Sequence, residues 1–497
     1  MRFFYKISIL ILFIFLLNLF SVTAQLQSLI IKNQRELFTD DHIIEKLNKM
    51  ETKLATPVSG GKALTFDKPW EGKFSAYVSI IHDGIRYRMY YRGLTGNDNK
   101  GAQQVTCYAE SVDGINWNKP NLGIFEVNGT RDNNVVLLGN QFRTTHNFSV
   151  MYDGREGIDP GERFKAVGGE STKNPASGLF RYVSSDGLNW KRYSKDTTAL
   201  FDAKELDSQN VLTWVPSENV YAIYMRGWTG GKPGQRYPPG GIRSIARSVS
   251  KDFINWSEPE WMTFGDTPVE HLYTNTTHPY FRAPHIMLSM PFRFSPQLKV
   301  LTDAELIENG TDKSQWKGVA DAVFMTSRGG SIYDRKFLES FVRPGGEQKN
   351  WGARSNIPAM GVIPTGKSEM SFFVTRAYGT NDIYLERMKL RTDGFVSLHA
   401  GYSEGSAISK PLVLSGNKFT INYSTSSIGY VKVILLNEKG RELPGFGSDD
   451  AIPMSGDKLD GEVKWKSGKT VKDLGSTIVR IKFIGRDADI YSFGVFD

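Results

Sequence analysis

The sequence predicts an all-β protein, a five-bladed β-propeller followed by a small C-terminal β-sandwich. Aromatic residues make up 12% of the chain and glycine occurs 49 times, whereas long stretches of helical periodicity are rare. A hairpin motif, in which an Asp lies four residues before a Trp, recurs along the chain next to strands of alternating apolar and polar residues. Repetition of one unit of about four strands is typical of propeller blades.

Three copies of the hairpin are nearly identical: Ser111-Val-Asp113-Gly114-Ile-Asn-Trp117, Ser184-Ser-Asp186-Gly187-Leu-Asn-Trp190 and Ser250-Lys-Asp252-Phe-Ile-Asn-Trp256. Two fainter copies are Ser327-Arg-Gly329-Gly330-Ser-Ile-Tyr333 and Arg391-Thr-Asp393-Gly394-Phe395. Asp-Gly supplies a turn with positive φ, and the Trp is expected to pack on the sheet. The alternative is an irregular β-sandwich with coincidental Asp-Gly turns, against which the three near-identical copies argue.

The first 24 residues have the order of a secretory signal peptide: Arg2 and Lys6, an apolar run from Ile7 to Phe20, then small residues up to Ala24. Cleavage is predicted after Ala24. A membrane anchor is the alternative, but the apolar run of about 14 residues is shorter than the roughly 20 that a spanning helix needs. The mature protein is therefore expected to be exported, either periplasmic or secreted.

The rest of the chain is predicted to have three parts. Residues 25–62 are expected to form a lead-in segment with a helical stretch around Ile43 to Met50. Residues 63–400 contain the five repeats and are predicted to be the propeller and catalytic domain. After Ala400 the hairpin motif stops, and short strands such as 418–423 and 430–435 predict a β-sandwich over residues 401–497.

The cysteine content, net charge and motifs of the sequence indicate which kinds of ligand and cofactor to expect. Cys107 is the only cysteine, so no intramolecular disulfide can form. The net charge is +8 without the basic runs that indicate nucleic-acid binding, and this mild excess weakly favours an anionic substrate. No P-loop, dinucleotide fingerprint or zinc-spaced cluster is present. We expect an oligosaccharide partner, no nucleic acid, no membrane after signal cleavage and no required cofactor, with a structural divalent cation in the channel left open.

The repeated Ser-x-Asp-Gly-x-x-Trp hairpin with a β-sandwich behind it resembles the arabinanase, levansucrase and invertase group, glycoside hydrolase families 32 and 43. Four segments are also similar to those of exported proteins of polysaccharide-degrading bacteria: Phe66-Asp67-Lys-Pro69-Trp70-Glu71, His146-Asn147-Phe148-Ser149, Asp207-Ser208-Gln209-Asn210 and Arg282-Ala-Pro284-His285. The resemblance implies three carboxylates, one on the innermost strand of each of the first three blades. Asp67 matches the first position, but the second blade opens with His146-Asn147 and lacks the expected Asp.

Carboxylates are the first candidates for catalysis, because glycoside hydrolysis uses one group as acid and another as base or nucleophile. Asp67 and Glu71 open the first blade, and Asp207 opens the third at the head of an apolar strand. Glu170 and Glu270 are further acid candidates. For each of these residues a turn cap or a solvated loop carboxylate is the alternative.

Histidines and arginines are candidates for an anionic sugar. His146 opens the second blade and His285 the fourth, and either is a candidate base if the two face each other across the channel. Arg282 is suited to clamp a carboxylate or sulfate, unless it bonds loop carbonyls instead. The predicted substrate-binding residues are Trp70, Asn147, Glu170, Gln209, Asn210, Arg226, Arg282 and Arg354.

Three functions fit these residues. The first is an exo-glycosidase on oligosaccharides of an anionic plant or algal polysaccharide, with Asp67, Asp207 and either Glu71 or Glu270 as acid and base. The second is a lyase or dehydratase on uronate-containing oligosaccharides such as those of ulvan, with His146 or His285 as base. The third is a sugar-binding propeller without catalysis.

Overall fold

The computed structural model describes residues 29–95, 104–139, 146–169, 178–193, 199–201, 206–231 and 239–497. Strands dominate these ranges, which confirms the predicted all-β class. The described helices are one α-helix, Asp303–Glu308, and four 3-10 helices, Pro160–Glu162, Lys313–Gln315, Gln348–Trp351 and Val471–Leu474. In the described ranges, no helix is long and apolar enough to cross a membrane.

The chain divides into two compact units. The larger contains Glu36–His42 and Thr52–Leu398, and the smaller contains residues 29–35, 43–51 and 399–497. The predicted lead-in segment of residues 25–62 is therefore divided between the two units in its described part. The predicted signal peptide lies outside the described residues.

Three antiparallel sheets of the larger unit each contain four strands in chain order. The first has Ala76–His82, Tyr87–Leu94, Gln104–Ser111 and Val135–Leu138; the second has Ser149–Tyr152, Phe164–Gly168, Phe180–Ser184 and Lys191–Arg192; the third has Val211–Val215, Val220–Trp228, Arg243–Ser250 and Glu260–Trp261. Each sheet is thus one repeat of the sequence, and each predicted hairpin follows the third strand.

The remaining repeats of the larger unit are less regular. The fourth consists of two three-stranded sheets, one with His278–Tyr280, Ala283–Ser289 and Met325–Ser327, the other with His271–Leu272, Phe292–Ser295 and Val319–Ala322. The fifth has Ile357–Pro358 and Ile363–Pro364 beside Glu369–Arg376, then Tyr384–Arg391 and Val58–Thr65. A strand from the beginning of the chain therefore completes the last sheet.

The three near-identical hairpins form the predicted turn. In each, Oδ1 of the Asp accepts hydrogen bonds of 2.8 Å from the backbone N–H groups two and three residues later. The residue after the Asp has a φ of 71° at Gly114, 75° at Gly187 and 64° at Phe253. Phe253 therefore adopts the left-handed conformation that glycine favours, and its buried ring packs on Tyr221 with the centroids 5.3 Å apart.

Hydrogen bonds connect the first strands of several sheets to one another or to residues 360–362, which lie between Ile357–Pro358 and Ile363–Pro364. The N–H of Ile80 donates to the carbonyl of Met360 over 2.8 Å, and the N–H of Leu212 donates to Oγ of Ser149 over 3.4 Å. The N–H of Val362 donates to Nε2 of His278 over 3.1 Å. Residues that precede these strands are thereby brought together, while the number of blades and their closure into a ring stay predictions.

The smaller unit is built on two strands of 19 residues, Lys418–Leu436 and Ile478–Phe496, which pair antiparallel. The other strands of this unit are Leu29–Lys32, Ile44–Asn48, Gly405–Ser409, Leu412–Ser415 and Asp457–Glu462. Three strands contain boundaries between the units: Gln34–Leu37, Met50–Leu54 and Val396–Ala400.

The predicted helix around residues 43–50 is wrong. Residues Ile44–Asn48 form a strand that pairs with Gly405–Ser409, with Leu47 opposite Ala407. Lys49 has a φ of 52°, which interrupts the backbone before the next strand and is incompatible with a right-handed helix. Backbone pairing therefore determines this segment, although its apolar spacing suits a helix.

Candidate functional site

Asp207 is an exposed carboxylate on a rigid, buried segment. It lies four residues before the strand Val211–Val215, and 58% of its side chain is exposed although Leu206 and Ser208 on either side are buried. Oγ of Ser208 donates to the carbonyl of Tyr273 over 2.9 Å. The segment is thus fixed while the carboxylate stays accessible to a ligand.

Two further predicted residues support this segment. Nε2 of Gln209 donates to the carbonyl of Tyr77 over 3.2 Å and to Oγ of Ser79 over 3.0 Å. Nδ2 of Asn210 donates to the carbonyl of Leu206 over 3.0 Å, and its Oδ1 accepts from the N–H of Arg226 over 3.3 Å. Both amides are buried, so their contacts are structural.

His146 contacts Asp207 directly. Its Nε2 lies 2.8 Å from Oδ1 of Asp207, and its Nδ1 lies 2.5 Å from Oε1 of Gln104. Nδ2 of Asn147 is also 2.8 Å from Nε2. Both ring nitrogens of His146 therefore have hydrogen-bond partners, so the imidazole is held in one orientation between Gln104 and the carboxylate of Asp207.

Arg92 extends this network. Its Nη1 donates to Oδ1 of Asn147 over 3.1 Å, its Nη2 donates to the hydroxyl of Tyr378 over 2.8 Å, and both Nε and Nη2 donate to the carbonyl of Phe74. The guanidinium lies 4.6 Å from the ring centroid of Tyr77. Arg92 is buried, so its charge acts on Asp207 through a medium with little water.

The charges of two more arginines, Arg226 and Arg354, interact with the carboxylate of Asp207. The guanidinium of Arg226 lies 5.1 Å from the ring centroid of Tyr273. Nη1 of Arg354 donates to Oε1 of Gln315 over 3.3 Å, while its Nε is buried and has no hydrogen-bond partner among the described residues. Arg354 is only partly buried, and it is therefore the arginine that a ligand beside Asp207 can reach.

The charges of this group are strongly coupled. Burial alone would raise the pKa of Asp207, but the hydrogen bond and charge of His146, with the charges of Arg226 and Arg92, lower that pKa far below its ordinary value. Burial raises the pKa of Tyr77 well above its ordinary value. Asp207 is thus ionised and Tyr77 neutral at physiological pH.

We call this group the Asp207 cluster. Its members are Tyr77, Arg92, Gln104, His146, Asn147, Asp207, Arg226, Tyr273, Arg354 and Tyr378. One carboxylate is surrounded by three arginines and a histidine, so the cluster carries an excess of positive charge. Such an excess favours a substrate with a negative charge.

Left-handed backbone recurs where the sheets begin. Tyr77 has a φ of 57°, Asn147 of 51°, Thr276 of 50° and Asn356 of 69°. Each lies in or within two residues of the first strand of its sheet. For residues other than glycine this conformation is costly, and it is concentrated at functional sites in proteins. Two of the four, Tyr77 and Asn147, belong to the Asp207 cluster.

Asp67 and Glu71 lie together, but in a different network. Nζ of Lys119 is 3.2 Å from Oδ1 of Asp67 and 2.7 Å from Oε2 of Glu71. Glu71 is fully buried, accepts from the hydroxyl of Tyr91 over 2.6 Å and from the N–H of Lys68 over 2.9 Å. Neither carboxylate shares a hydrogen bond or ion pair with Asp207 among the described contacts. The neighbouring Trp70 is buried and donates to Asn134.

The second histidine has different partners from the first. Nε2 of His285 is 2.9 Å from Oε1 of Glu36, a fully buried carboxylate that also pairs with Arg328. Nη1 of Arg282 donates to Oδ2 of Asp393 over 3.0 Å. The described contacts of His146 and His285 therefore do not bring the two imidazoles together.

Glu270 also lies elsewhere. Its Oε1 is 3.1 Å from Nη1 of Arg293, and its Oε2 pairs with Arg335. Glu170 lies outside the described residues. Of the predicted site residues, the structure brings together His146, Asn147, Asp207, Arg226 and Arg354, with Gln209 and Asn210 behind them. In the ranges that the structure describes, no group of three or more His, Cys, Asp or Glu side chains is arranged to hold a metal ion.

Sequence reasoning missed Arg92, Gln104, Tyr77, Tyr273 and Tyr378. Arg92 and Gln104 lie within strands of the first sheet, where alternation gave no sign that a polar side chain has a special role. In the sequence, the three tyrosines cannot be distinguished from ordinary aromatic residues of a hydrophobic core. One usable signal was present: Arg92 follows Tyr90-Tyr91 at the apolar end of a strand, and a buried arginine there requires partners.

Comparisons with known proteins are limited to structure. No protein-family model and no curated protein matches the chain. Matching solved structures include an N-acetylgalactosamine deacetylase from F. plautii, at 11% identity and a TM-score of 0.45, over 68% of this chain and 96% of that chain. The Bombyx mori GH32 β-fructofuranosidase matches at 8% identity and a TM-score of 0.42, over 86% and 93% of the two chains.

A glycosyl hydrolase from Bacteroides ovatus matches at 12% identity and a TM-score of 0.38, over 72% of this chain and 93% of that chain. Two of these three structures are named as glycoside hydrolases, the group that the sequence resembles. At these identities and TM-scores the similarity carries no argument about activity.

Proposed function

We propose that this protein is a carbohydrate-degrading enzyme that hydrolyses anionic, uronate- or sulfate-bearing oligosaccharides at the Asp207 cluster. The observation that carries the proposal is one ionised, accessible carboxylate held by His146 and surrounded by Arg92, Arg226 and Arg354. The carboxylate supplies the group that reacts with a sugar. The positive excess supplies the affinity for an anionic one.

The assigned roles follow from exposure and hydrogen bonding. Asp207 attacks the anomeric carbon as the glycosidic C–O bond breaks, because it is the exposed, ionised carboxylate of the cluster, and water then hydrolyses the resulting glycosyl ester. His146 is a positioning residue that keeps Asp207 ionised and oriented. Arg354 binds the anionic group of the sugar with its guanidinium.

Hydrolysis also needs a proton for the departing oxygen. The hydroxyl of Tyr378 accepts a hydrogen bond from Arg92, so its own proton is directed to another acceptor. We assign Tyr378 as the donor, with Arg92 stabilising the phenolate that forms. Tyrosine is among the side chains that act as general acids in enzymes.

The low pKa of Asp207 favours hydrolysis over proton abstraction from carbon. A base whose pKa is far below the operating pH is inefficient at removing a proton from a carbon acid. The same ionised state suits a nucleophile or an electrostatic stabiliser of a cationic sugar. Asp207 therefore fits a glycosidase better than a lyase.

Elimination from a uronate is a second candidate, and one observation favours it. Among the described contacts of Asp207 there is no second carboxyl group, whereas a histidine and several tyrosines belong to its cluster. In a lyase or dehydratase, His146 in its neutral form removes the proton from the carbon next to the uronate carboxylate, a C=C bond forms, and the C–O bond on the adjacent carbon breaks to release the leaving group, while Arg354 neutralises the carboxylate.

We also propose that the five repeats form one five-bladed propeller, in which the Asp207 cluster lies at the channel. The hydrogen bonds that connect first strands to one another and to residues 360–362 support this arrangement. Export, with removal of residues 1–24, is likewise a proposal, and mass spectrometry of the protein recovered from the producing cells tests it. A chain that begins at Gln25 supports export, and a chain that retains the first 24 residues contradicts it.

The experiment that tests the proposed function is mass spectrometry of products from a panel of neutral, uronate-bearing and sulfated oligosaccharides. Two products whose masses sum to the substrate plus one water support hydrolysis. Cleavage without gain of water, or loss of one water without cleavage, supports the elimination candidate instead. Turnover of neutral oligosaccharides alone contradicts the assignment of Arg354.

A further inference from the structure

A hollow of about 610 Å³ lies in the larger unit, and Trp351 is part of its wall. Other residues of the wall are Glu270, Arg293, Asp321, Ser340 and Arg343. We call it the Trp351 hollow. Its volume is within the usual range for sites that bind small molecules.

The ion pairs of the hollow leave one positive charge over. Arg293 donates to both oxygens of Asp321, over 2.9 and 2.6 Å, and to Glu270 over 3.1 Å. Glu270 also pairs with Arg335. Two carboxylates and two guanidinium groups balance each other, so the charge of Arg343 is the surplus.

Arg343 and Ser340 have unused hydrogen-bonding groups. The side chain of Arg343 is exposed and has no hydrogen bond or ion pair within the described part of the chain, while its carbonyl is fixed by a 3.1 Å hydrogen bond from Arg376. Oγ of Ser340 is buried without a partner among the described residues. Buried polar atoms are nearly always satisfied in proteins, so this hydroxyl points to a ligand or a water in the hollow.

Trp351 gives the hollow an aromatic side chain in a fixed position. Its Nε1 donates to the carbonyl of Gly345 over 3.0 Å, and its ring is only partly buried. An aromatic face beside a guanidinium and a hydroxyl suits a sugar ring that carries a negative charge. A purely apolar ligand would leave Arg343 and Ser340 unsatisfied.

Two chain segments connect this hollow to the Asp207 cluster. In the first segment, Glu270 lines the hollow and Tyr273, three residues later, belongs to the cluster. In the second, Trp351 lines the hollow and Arg354, three residues later, belongs to the cluster. Three residues of extended chain span about 10 Å at most. Glu270 and Trp351 of the hollow are therefore each within about 10 Å, along the backbone, of a member of the Asp207 cluster.

We propose that the Trp351 hollow is a second sugar-binding subsite, which holds a further anionic residue of the oligosaccharide that reacts at Asp207. This inference rests on the proposed function. Trp351 stacks on the sugar ring, and Arg343 binds its carboxylate or sulfate. The protein then binds longer oligosaccharides more tightly than short ones.

Isothermal titration calorimetry with di- and tetragalacturonate tests the subsite in the full-length Asp207→Asn protein. Trp351→Ala and Arg343→Ala are each expected to weaken binding of the tetramer about tenfold and to leave the dimer within about twofold. Lys251→Ala, which removes an exposed cation in a hairpin turn of the third sheet, is the matched control and is expected to change neither affinity.

The subsite would be overturned if Trp351→Ala and Arg343→Ala weakened binding of the dimer as much as binding of the tetramer, or weakened neither. It would also be overturned if the parent Asp207→Asn protein bound dimer and tetramer with equal affinity. Absence of binding of both probes would overturn it for uronates. The proposed function is separable, because wild-type turnover of the product panel tests it independently. If Trp351→Ala turns over short and long oligosaccharides in the same ratio as wild type, the subsite alone is rejected. If oligosaccharides bind but wild type turns none of them over, the proposed function alone is rejected.

Discussion

Nε2 of His146 lies 2.8 Å from Oδ1 of Asp207, and the other ring nitrogen faces the side-chain oxygen of Gln104. This arrangement joins an exposed carboxylate to two buried side chains. The hydrogen bond and charge of His146 lower the pKa of Asp207, which explains how this aspartate stays ionised.

His146→Gln is expected to lower kcat about 10- to 100-fold without unfolding the protein, because an amide can still donate to Asp207 but carries no charge. The pKa of Asp207 should then rise, and the acidic limb of the kcat/KM profile should move to higher pH. Steady-state kinetics between pH 3 and 8 measures both effects. An unchanged pH profile alongside reduced kcat would show that His146 does not control the charge of Asp207.

Arg354→Gln is expected to lower kcat/KM for a uronate substrate about 10- to 100-fold, because a charge-assisted hydrogen bond is lost. The methyl ester of the same substrate, which lacks the charge, should lose less than about threefold. Arg354→Lys should recover part of the difference. If acid and ester lose activity equally, Arg354 does not bind the anionic group.

Glu71→Gln is expected to destabilise the fold and to leave kcat unchanged. Removal of this fully buried charge leaves Lys119 without its closest charged partner, and breaking a buried pair costs about 3 to 5 kcal/mol. Urea unfolding measures the loss. If Glu71→Gln instead keeps the stability of wild type and its kcat falls as much as that of an Asp207 variant, Glu71 is a catalytic residue.

His278 should make stability depend on pH. Burial lowers its pKa from 6.5 to about 4, while its Nδ1–H donates to the carbonyl of Thr276 and its Nε2 accepts from the N–H of Val362. Between about pH 4 and pH 6.5 the imidazole is therefore protonated in the unfolded chain but neutral in the folded chain. The free energy of unfolding consequently falls as the pH falls from about 6.5 to about 4.

The loss in the free energy of unfolding is expected to be about 3 kcal/mol, which is the difference between the unfolded and folded pKa of His278 converted to free energy. His278→Gln should be less stable at pH 7, and its disadvantage relative to wild type should shrink by that amount near pH 4. Urea midpoints at both pH values measure it. A constant difference between the two proteins would mean that His278 is not neutral in the fold.

The sequence predicted the repeats well because their signal is local. An Asp that caps its own turn and a residue with positive φ define each hairpin within seven residues, and the structure has both. Asp207 and His146 were predictable for a related reason, since each opens an apolar strand with polar residues. The helix around Ile44 was wrong because its pairing partner, Gly405–Ser409, is more than 350 residues away.

The remaining members of the cluster could not be predicted because they depend on contacts between sheets. Arg92 belongs to a strand of the first sheet, and Tyr378 follows a strand of the fifth. Nothing near Tyr378 in sequence distinguishes it from the core, and Arg92 is distinguished only by its position at the apolar end of its strand. Glu71 shows the opposite case, because its motif attracted attention while its buried bonds to Tyr91 and Lys119 are structural.

The most direct test of the central claim is the turnover of Asp207→Asn on the oligosaccharide that wild type cleaves, with products resolved by mass. This substitution keeps the shape of the side chain and removes its charge. We expect a fall in kcat of at least about 10³-fold, as for loss of other essential catalytic groups, with the thermal midpoint of the fold retained. Activity within about tenfold of wild type would contradict the assignment of Asp207 as the reacting carboxylate.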